Sequence, residues 1–436
     1  MWIFETMDFE NNLAFAEAMD RDDPLKELRG EFIVPQQGSE SVIYMCGNSL
    51  GLQPKVTRNV VHGQLDQWAN LAVEGWFEGE EPWMYYHKSL KELLAPMVGA
   101  VVSEVCPMNT LTVNLHLLLV SFYKPSGKRF KIIMEAGAFP SDQYALESQV
   151  RFHGYDPADA IIEVSPKGGA LTLKTADIIA AIETSAEEIA LVLFSGVNYF
   201  TGQLFDMEAI TESGHRAGAI VGFDLAHAAG NVPLMLHDWE VDFACWCSYK
   251  YQNGGPGGIS AIFVHEKHFK DKTLNRFAGW WGYQENIRFK MEKGFIPEPG
   301  ADGWQVSCGQ VIPMSMYSAA LGIFKKAGFM GPLRDKSIRL TGYLYFIINE
   351  VNKSLHFEQF KIITPEDIEQ RGAQLSIVAT KHAKEIFGEL VKRNILGDWR
   401  EPNVIRLSPV PLYNTFVEIF QIGQQLLAIC NSLPND

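Results

Sequence analysis

The sequence predicts an α/β protein with a mainly parallel sheet, followed by a smaller α+β domain. Between about residues 61 and 305, short apolar runs rich in β-branched residues alternate with amphipathic segments. These runs are continuous, as in parallel strands covered by helices on both faces. From about residue 306 the pattern changes to strands and helices of more mixed composition, which indicates a partly separate domain.

Composition and charge restrict the class of partner. The 436 residues include 47% hydrophobic and 20% charged residues, which is enough for two or three domains with a large core. A net charge of −15 without a Lys/Arg-rich stripe argues against nucleic acid and anionic membranes as partners. The most apolar run, residues 111–123, is too short to span a bilayer.

Localisation is predicted from the first residues and from the cysteines. Residues 1–23 carry acids where a secretion signal would carry basic residues. The six cysteines form no CxxC pair and no cluster with zinc spacing. We therefore expect reduced thiols, no metal site and a cytoplasmic protein.

The individual elements follow from the same pattern. Residues 1–60 read as an N-terminal arm with one or two helices, ending in "VIYMCGNSLGLQP", a short strand that enters a glycine-containing loop. Strands in the main part are predicted at residues 130–135, 188–196, 219–224, 243–248 and 258–266, with helices after the first two. In the last part we expect a half-exposed strand at 372–380, helices at 383–394 and 415–430, and a strand at 403–409. The predicted division is an arm of residues 1–60 that contributes to the small domain and the active-site rim, a large cofactor-binding domain of 61–305, and a small domain of 306–436.

Polar residues follow three of the predicted strands. Ser195 ends "LVLFS", Asp224 ends "AIVGFD", and Lys250 lies in "CSYKYQNGGPGG" after the run "FACWC". Ligands of parallel α/β sheets bind at the carboxyl ends of the strands, so these side chains could share one site. Taken singly, Asp224 could be a helix N-cap and Lys250 a solvated loop residue. Together, a carboxylate and a lysine at the same edge are harder to explain without a ligand.

The pair has a chemical interpretation. A lysine at the end of a core strand loses hydration, which favours the neutral amine that forms Schiff bases. A carboxylate opposite it could bind a cationic ring nitrogen, and pyridoxal phosphate needs both groups. Its phosphate needs hydroxyls and helix N-termini, which Thr110 and Thr112 could supply ahead of a helical run. Phe139, after the strand "KIIME", could cover the ring. The stretch "NGGPGG" lacks the ending of a phosphate-binding P-loop.

A family resemblance rests on many motifs from about residue 45 to 416. "CGNSLGLQP", "LTVNLHLLL", "AFPSDQYALESQ", "LFSGVNYFTGQ", "GFDLAHAAGN", "WCSYKYQNGGPGG", "GWWG" and "RLSPVPLYNTF" together resemble the kynureninase family. The resemblance implies a type I pyridoxal-phosphate fold with a seven-stranded sheet, normally a homodimer with active sites at the interface. It also implies hydrolytic cleavage of L-kynurenine, and possibly 3-hydroxykynurenine, to anthranilate or 3-hydroxyanthranilate and L-alanine.

The resemblance assigns expected roles to individual residues. Lys250 is expected to hold the cofactor and to move the α-proton, Asp224 to bind the pyridine nitrogen, and Tyr249 to donate or relay a proton. The other expected cofactor-binding residues are Leu111, Thr112, Phe139, Pro140, Ser141, Asp142, Ser195, His227, Cys308, and Trp280 of the neighbouring subunit. The expected substrate-binding residues are Arg406, for the α-carboxylate, with Asn48, Ser49, Trp76 and Ser307. Without the resemblance, Arg406 would read as a surface strand residue.

Two positions depart from the pattern of the family. Trp76 replaces a histidine that is common in animal members, and Cys308 replaces a frequent asparagine. Both positions are expected to line the pocket for the aryl ring of the substrate. Fewer polar groups there should weaken recognition of a ring hydroxyl, so we expect kynurenine to be preferred over 3-hydroxykynurenine. Trp76 as a core or interface aromatic and Cys308 as a neutral packing substitution remain alternatives.

Three other functions stay open on the sequence. Another pyridoxal-phosphate lyase or transaminase of the cysteine desulfurase-like group would share the general layout. A Schiff-base aldolase without cofactor would use Lys250 but would not need Asp224 and the phosphate-side hydroxyls together. A catalytically dead binding protein would have no need to keep Lys250, Asp224 and Arg406.

Overall fold

The computed structural model describes residues 8–434. Residues 1–7 of the predicted N-terminal arm, and residues 435–436, lie outside this range. Within it, no helix is both long enough and apolar enough to cross a bilayer.

The N-terminal part contains one α-helix and five two-residue strands. The helix begins after Asn12, whose side chain caps it by accepting a hydrogen bond from the backbone N–H of Phe15. The elements are α1 (Leu13–Arg21), β1 (Phe32–Ile33), β2 (Gln36–Gln37), β3 (Glu40–Ser41), β4 (Ile43–Tyr44) and β5 (Gln53–Pro54). The predicted strand and glycine loop of residues 42–54 correspond to β4 and the segment after it.

The middle of the chain alternates strands with helices. The helices are α2 (Thr57–Leu71), α3 (Tyr86–Val98), α4 (Leu111–Phe122), α5 (Pro140–Phe152), α6 (Pro157–Ala160), α7 (Thr175–Thr184) and α8 (Met207–Arg216). The strands are β6 (Val105–Pro107), β7 (Lys131–Glu135), β8 (Ile161–Val164), β9 (Ile189–Ser195), β10 (Ile220–Asp224), β11 (Phe243–Cys247) and β12 (Ser260–Val264).

These strands form one seven-stranded sheet in the order β6-β12-β11-β10-β9-β7-β8. All neighbours are parallel except that β12 runs antiparallel to both β11 and β6. The central strands are buried along their length, because helices cover both faces of the sheet. The predicted mainly parallel seven-stranded sheet is confirmed.

The last part carries a second sheet and four helices. The elements are α9 (Val311–Lys326), α10 (Met330–Leu355), β13 (Phe360–Ile362), β14 (Leu375–Ala379), α11 (Ala383–Lys392), β15 (Ile395–Leu396), β16 (Asp398–Arg400), β17 (Val404–Leu407) and α12 (Phe416–Ser432). The four-stranded sheet has the order β13-β14-β17-β16 and is antiparallel throughout. β15 pairs instead with β4, which ties the N-terminal part to the last part.

One strand prediction is wrong in its exposure. The alternating pattern of residues 372–380 suggested a half-exposed strand, but β14 is buried on both faces. Leu375 and Ile377 pack in the core of the small sheet. On the other face, Ser376 is enclosed because its hydroxyl donates a hydrogen bond to the carbonyl of Phe200, 2.6 Å away, in the loop after β9.

The division into an arm and two domains stays a prediction. The helices of the last part do not all pack against its own sheet, since α9 lies against α2 and α3 of the middle part. Tyr317 and Phe324 of α9 belong to the core of the seven-stranded sheet, whereas Tyr343 and Ile347 of α10 belong to that of the four-stranded sheet. The boundary between the two hydrophobic cores therefore lies within α10.

Candidate active site

The polar strand ends meet at one edge of the main sheet. β9 ends at Ser195 and β10 at Asp224, and these two residues are direct partners in the register of the parallel pair. Asp224 is also the register partner of Cys245 on β11, and Lys250 follows β11 by three residues. The structure thus brings the carboxylate and the lysine to the same side, where ligands of parallel sheets bind.

A cavity of about 520 Å³ opens at this edge. Most of the predicted catalytic and cofactor-binding residues line it: Leu111, Thr112, Phe139, Ser141, Asp142, Ser195, Asp224, His227, Tyr249 and Lys250. Val197, Tyr199 and Ala226 complete the lining. The predicted Pro140 is the first residue of α5, between two lining residues.

Glycines shape the backbone around Lys250. The N–H of Gly51 donates a hydrogen bond to the carbonyl of Tyr249, 2.8 Å away. A Cβ atom at Gly51 would lie 2.4 Å from the carbonyl oxygen of Lys250. On the other side, a Cβ atom at Gly254 would lie 2.4 Å from the hydroxyl oxygen of Ser248. Because neither position has room for a side chain, the loop of Gly51 packs closely on the lysine loop, and the lysine loop folds back on Ser248 at Gly254.

Lys250 faces an aromatic ring. Its Nζ lies 5.8 Å from the centroid of the Phe139 ring, which in turn contacts Tyr199 edge to face at 5.3 Å between centroids. The aromatic pair covers one side of the cavity. A planar ligand bonded to Lys250 would therefore find an aromatic wall beside it.

Two aspartates at the floor share a hydrogen bond. Burial raises the pKa of both Asp224 and Asp142. The backbone N–H of Ala226 donates to Asp224 Oδ1 at 2.7 Å, and the positive charge of Lys250 lowers the pKa of both groups. The charge of Asp224 adds to burial in raising the pKa of Asp142 well above its usual range, so Asp142 holds the proton and donates it to Asp224.

A third acid lies beside them. Glu135, the last residue of β7, is buried, and burial raises its pKa to about 7. The backbone N–H of Ser195 donates to both Glu135 carboxylate oxygens at 3.2 Å, and the Ser195 hydroxyl donates to Oε1. The hydroxyl proton of Ser195 is therefore directed at Glu135 and not into the cavity.

Two helix N-termini border the cavity. α4 begins at Leu111 and α5 at Pro140, and the first-turn N–H groups of a helix have no partner within it. The hydroxyls of Thr112 and Ser141 lie 2.7 Å apart and join the two helix starts. Such an arrangement of amides and hydroxyls binds phosphate. Tyr249 adds a hydroxyl that stays protonated at neutral pH, because burial raises its pKa.

His227 and the substrate-side residues contain buried polar atoms without a partner. Burial lowers the pKa of His227 well below its usual range, so the imidazole is neutral. Among the described residues, Nδ1 of His227, Oδ1 of Asp142, Oδ1 of Asn48 and Nε of Arg406 accept or donate no hydrogen bond. Buried polar groups are rarely left unpaired in native proteins, so these atoms indicate where a polar ligand binds.

Arg406 lies behind the cavity wall. It is 1% exposed, and one Nη donates a 2.5 Å hydrogen bond to the carbonyl of Tyr199. Gln374 donates to the same carbonyl at 3.0 Å and accepts a hydrogen bond from Asn48 at 3.0 Å. The predicted pair Asn48 and Arg406 is thus connected through Gln374 and Tyr199. The predicted surface-strand alternative for Arg406 is wrong, because the residue is buried in the small sheet.

Besides Pro140, Asn48 and Arg406, five further predicted residues do not line the cavity of this chain. Cys308, Ser307 and Ser49 are exposed, and Trp280 is 45% exposed. Trp76 packs edge to face against Trp83, with 5.7 Å between ring centroids. Trp76 and Trp280 also both contact Trp281. Trp76, Trp280 and Trp281 thus form an aromatic cluster outside the cavity lining.

Sequence reasoning missed several residues of the site. Glu135 ends an apolar run just as Ser195 and Asp224 do, and this common position was the available signal. Tyr199 and Gln374 had no such signal, since both depend on how loops meet across the two sheets. Asp398, which binds Arg406, lies only eight residues before it but on a neighbouring strand.

Comparison with known proteins identifies the family. The model of the kynureninase C-terminal domain matches residues 333–426, and that of class-V aminotransferases matches residues 158–283. Kynureninases of similar sequence occur in Flavobacterium psychrophilum (53% identity, 96% of this chain and 98% of the relative) and Koribacter versatilis (49%, 97% and 99%). The kynureninase of Nematostella vectensis is 46% identical over 97% of this chain and 95% of its own length.

Solved structures share the fold at low sequence identity. A cysteine desulfurase from Thermococcus onnurineus NA1 superposes with a TM-score of 0.74 at 15% identity, over 96% of this chain and 98% of that one. A C-DES variant with glycine covalently linked to its PLP cofactor gives a TM-score of 0.75 at 16% identity, over 92% and 98%. These likenesses show the fold. The sequence identity to kynureninases over almost the whole length shows that the chain belongs to the kynureninase family.

Proposed function

We propose that this chain is a pyridoxal-phosphate-dependent hydrolase that cleaves L-kynurenine, with one water, to anthranilate and L-alanine. The observation that carries the proposal is the convergence of Lys250, Asp224 and Phe139 on one cavity. Membership of the kynureninase family selects this reaction among those the fold supports. A lyase or transaminase of the cysteine desulfurase-like group is the alternative, since those proteins share the fold.

The cavity fits pyridoxal phosphate. Lys250 provides the amine for the covalent bond, and Asp224 the carboxylate for the pyridine nitrogen. The ring of Phe139 would cover one face. The helix starts at Leu111 and Thr112, with the hydroxyls of Ser141 and Tyr249, would hold the phosphate. Nδ1 of His227 and Oδ1 of Asp142 are buried without a partner and would be available to polar atoms of the cofactor.

The bound cofactor withdraws electrons from the substrate carbons that react. Asp224 supports this chemistry as a buried carboxylate that keeps the pyridine nitrogen protonated, and Asp142 holds Asp224 in place through their shared proton. Lys250 Nζ would act as the base that removes the α-proton of the substrate, and would return a proton to it. Tyr249 is the proposed proton donor or relay, because its phenol is protonated at neutral pH.

Arg406 is the proposed site for the α-carboxylate of the substrate. Its guanidinium is planar and permanently charged, and its Nε is buried without a partner. Asn48 is proposed to contact the substrate through its unpartnered Oδ1, and the exposed Ser49 to lie at the rim. Because Gln374 connects Asn48 to the anchor of Arg406, the two residues can be aligned together.

A homodimer would complete the site. Trp280 is partly exposed and lies near the exposed side chains of Phe289 and Met291. Ser307 and Cys308 are exposed as well. Trp280 packs edge to face against Phe289, with 5.5 Å between centroids. An exposed aromatic surface of this kind fits a subunit interface. We propose that a second copy covers this surface and that Trp280 and Cys308 approach the cofactor phosphate of the neighbouring subunit. The free cysteines fit the proposed cytoplasmic location.

Kynurenine is the proposed preferred substrate over 3-hydroxykynurenine. Trp76 and Cys308 offer no strong hydrogen-bonding partner for a ring hydroxyl, and discrimination of that kind needs buried polar contacts. The test is a paired assay of the purified protein with added pyridoxal phosphate, following product release from both substrates. Anthranilate and alanine in equal amounts, with kcat/KM for the hydroxylated substrate at least about tenfold lower, would support both proposals. Equal or reversed values would contradict the preference alone, and no cleavage of either substrate would contradict the function.

A further inference from the structure

Glu135 ends β7, and its side chain accepts hydrogen bonds from Ser195 on β9 that the pairing of the two strands does not require. It is 2% exposed, and its carboxylate binds both the backbone N–H and the hydroxyl of Ser195. Burying a carboxylate is costly unless its oxygens are hydrogen-bonded, and here the donors are Ser195 and the backbone N–H of Glu135 itself. β7 and β9 are neighbours in the sheet, so the contact fixes the carboxyl ends of two strands next to each other.

Ser195 connects Glu135 to the floor of the cavity. It is the register partner of Asp224, and both residues line the cavity. The N–H of the next residue, Gly196, donates a hydrogen bond to the carbonyl of Asp224 at 2.9 Å. Any change in the carboxylate of Glu135 therefore acts on the segment that holds Asp224.

Charge provides a second connection. The titratable groups that act on Glu135 or are affected by it are Asp224 on β10 and Asp142 on α5. These two aspartates in turn face Lys250 after β11 and the thiol of Cys245. Three buried carboxyl groups therefore lie together, and two of them face one lysine. They cannot all ionise together in a medium of low dielectric constant, so the charge of one affects the others.

We propose that Glu135 is a positioning residue of the cofactor site, which orients Ser195 and sets the charge that Asp224 presents to the pyridine nitrogen. The proposed catalytic residues remain Lys250, Asp224 and Tyr249, and Glu135 acts through them. The inference rests on the proposed cofactor but not on the proposed substrate.

The test uses the holoprotein without substrate. Glu135→Gln keeps the size of the side chain and removes its charge. Glu163→Gln is the matched control, because Glu163 is an exposed residue on the adjacent strand β8. The readout is the pH midpoint of the visible absorbance band of bound pyridoxal phosphate, with circular dichroism to confirm folding.

We expect the midpoint of E135Q to fall by about one pH unit, because the cationic cofactor site loses a nearby negative charge, and that of E163Q to stay unchanged. A folded E135Q protein with the wild-type midpoint would overturn the proposal, even if it were less stable. If E135Q does not fold, Ser195→Ala is measured instead. It removes one donor to Glu135, so the midpoint should fall by a smaller amount, and an unchanged midpoint would again overturn the proposal.

The result for Glu135 can be interpreted even if the proposed substrate is wrong. A protein that binds pyridoxal phosphate but does not cleave kynurenine still shows the band and its midpoint. A protein that shows no band at all would contradict the cofactor itself, and with it both proposals.

Discussion

The carboxylate of Asp398 binds the guanidinium of Arg406, its register partner on the neighbouring strand. Arg406 is 1% exposed, so Asp398 both compensates a buried charge and fixes the plane of the guanidinium. Arg400 reaches the other oxygen of the same carboxylate at 3.1 Å, but from a more exposed position. The residue proposed to bind the substrate carboxylate is thus oriented by a carboxylate of the protein.

Replacing Asp398 by Asn should impair both stability and substrate binding. The buried Arg406 would lose its charge partner, and we expect the free energy of unfolding to fall by about 3 kcal/mol. The less restrained guanidinium should raise KM for kynurenine about tenfold, with a smaller change in kcat. Urea unfolding and steady-state kinetics measure the two effects. Arg400→Gln is the control, since its partly exposed ion pair should contribute at most about 1 kcal/mol. Equal effects of the two variants would contradict this account of Asp398.

The pH dependence of stability should report on Glu135. Its pKa is raised from 4.5 to about 7 by burial, so the folded state binds this proton more tightly than the unfolded chain. Below pH 4.5 both states are protonated, and above pH 7 both are ionised, with the cost of the buried charge fully present. As the pH rises from 4.5 to 7, the free energy of unfolding of the wild type should therefore fall by roughly 3 kcal/mol relative to that of Glu135→Gln. Unfolding curves of the two proteins at several pH values measure the difference, and parallel curves would contradict the raised pKa.

Asp242 gives a prediction about stability that is independent of the cavity. It precedes β11, at the opposite end of that strand from Lys250, and accepts hydrogen bonds from His215 at 2.9 Å and His268 at 2.7 Å. Burial would raise the pKa of Asp242. The hydrogen bonds from these two histidines and from the backbone N–H of Val221, together with the charge of Lys267, outweigh burial and hold the pKa well below its usual range. Asp242→Asn should reduce the free energy of unfolding at neutral pH by about 3 kcal/mol.

The kinetic constants of Asp242→Asn should stay within about twofold of wild type at temperatures where it is folded. The control is Asp238→Asn, a change at an exposed neighbouring position that should alter neither stability nor kinetics. A large change in KM for Asp242→Asn would show that this end of the sheet is coupled to the site.

The aryl-ring preference can be tested by restoring polar groups. Trp76→His combined with Cys308→Asn should raise kcat/KM for 3-hydroxykynurenine relative to kynurenine by about tenfold or more. Trp76→His also removes ring contacts with Trp83, so some loss of thermal stability is expected. Cys308→Asn alone is the companion variant, because Cys308 is exposed and its change should not affect packing in the subunit. An unchanged ratio in a folded double variant would contradict the roles of both positions.

The main sheet and the floor of the cavity could be predicted from the sequence for a physical reason. Parallel strands that are buried on both faces must be apolar throughout, so a polar residue at the end of such a run marks the carboxyl edge. Ser195, Asp224 and Lys250 were visible in this way. The same pattern marks Glu135 at the end of "KIIME", although that run by itself predicts only a strand before Phe139.

The remaining features depend on contacts distant in sequence. The hydrogen bond of Gln374 to Tyr199 joins the two sheets, and no local pattern reports it. β14 alternates like a half-exposed strand because its polar face meets the loop at Phe200 instead of water. The 26-residue helix α10 escaped prediction because its first turn packs in the core of the seven-stranded sheet and the residues from Leu340 onward in that of the four-stranded sheet.

The most direct test of the account is to find the residue that carries the cofactor. The purified protein is incubated with pyridoxal phosphate, reduced with borohydride to fix the cofactor on its lysine, digested and mapped by mass spectrometry. We expect the added mass on Lys250, and its absence from Lys250→Ala but not from the exposed control Lys128→Ala. Cofactor fixed on another lysine of the wild-type protein, or on none, would contradict the assignment of the cavity.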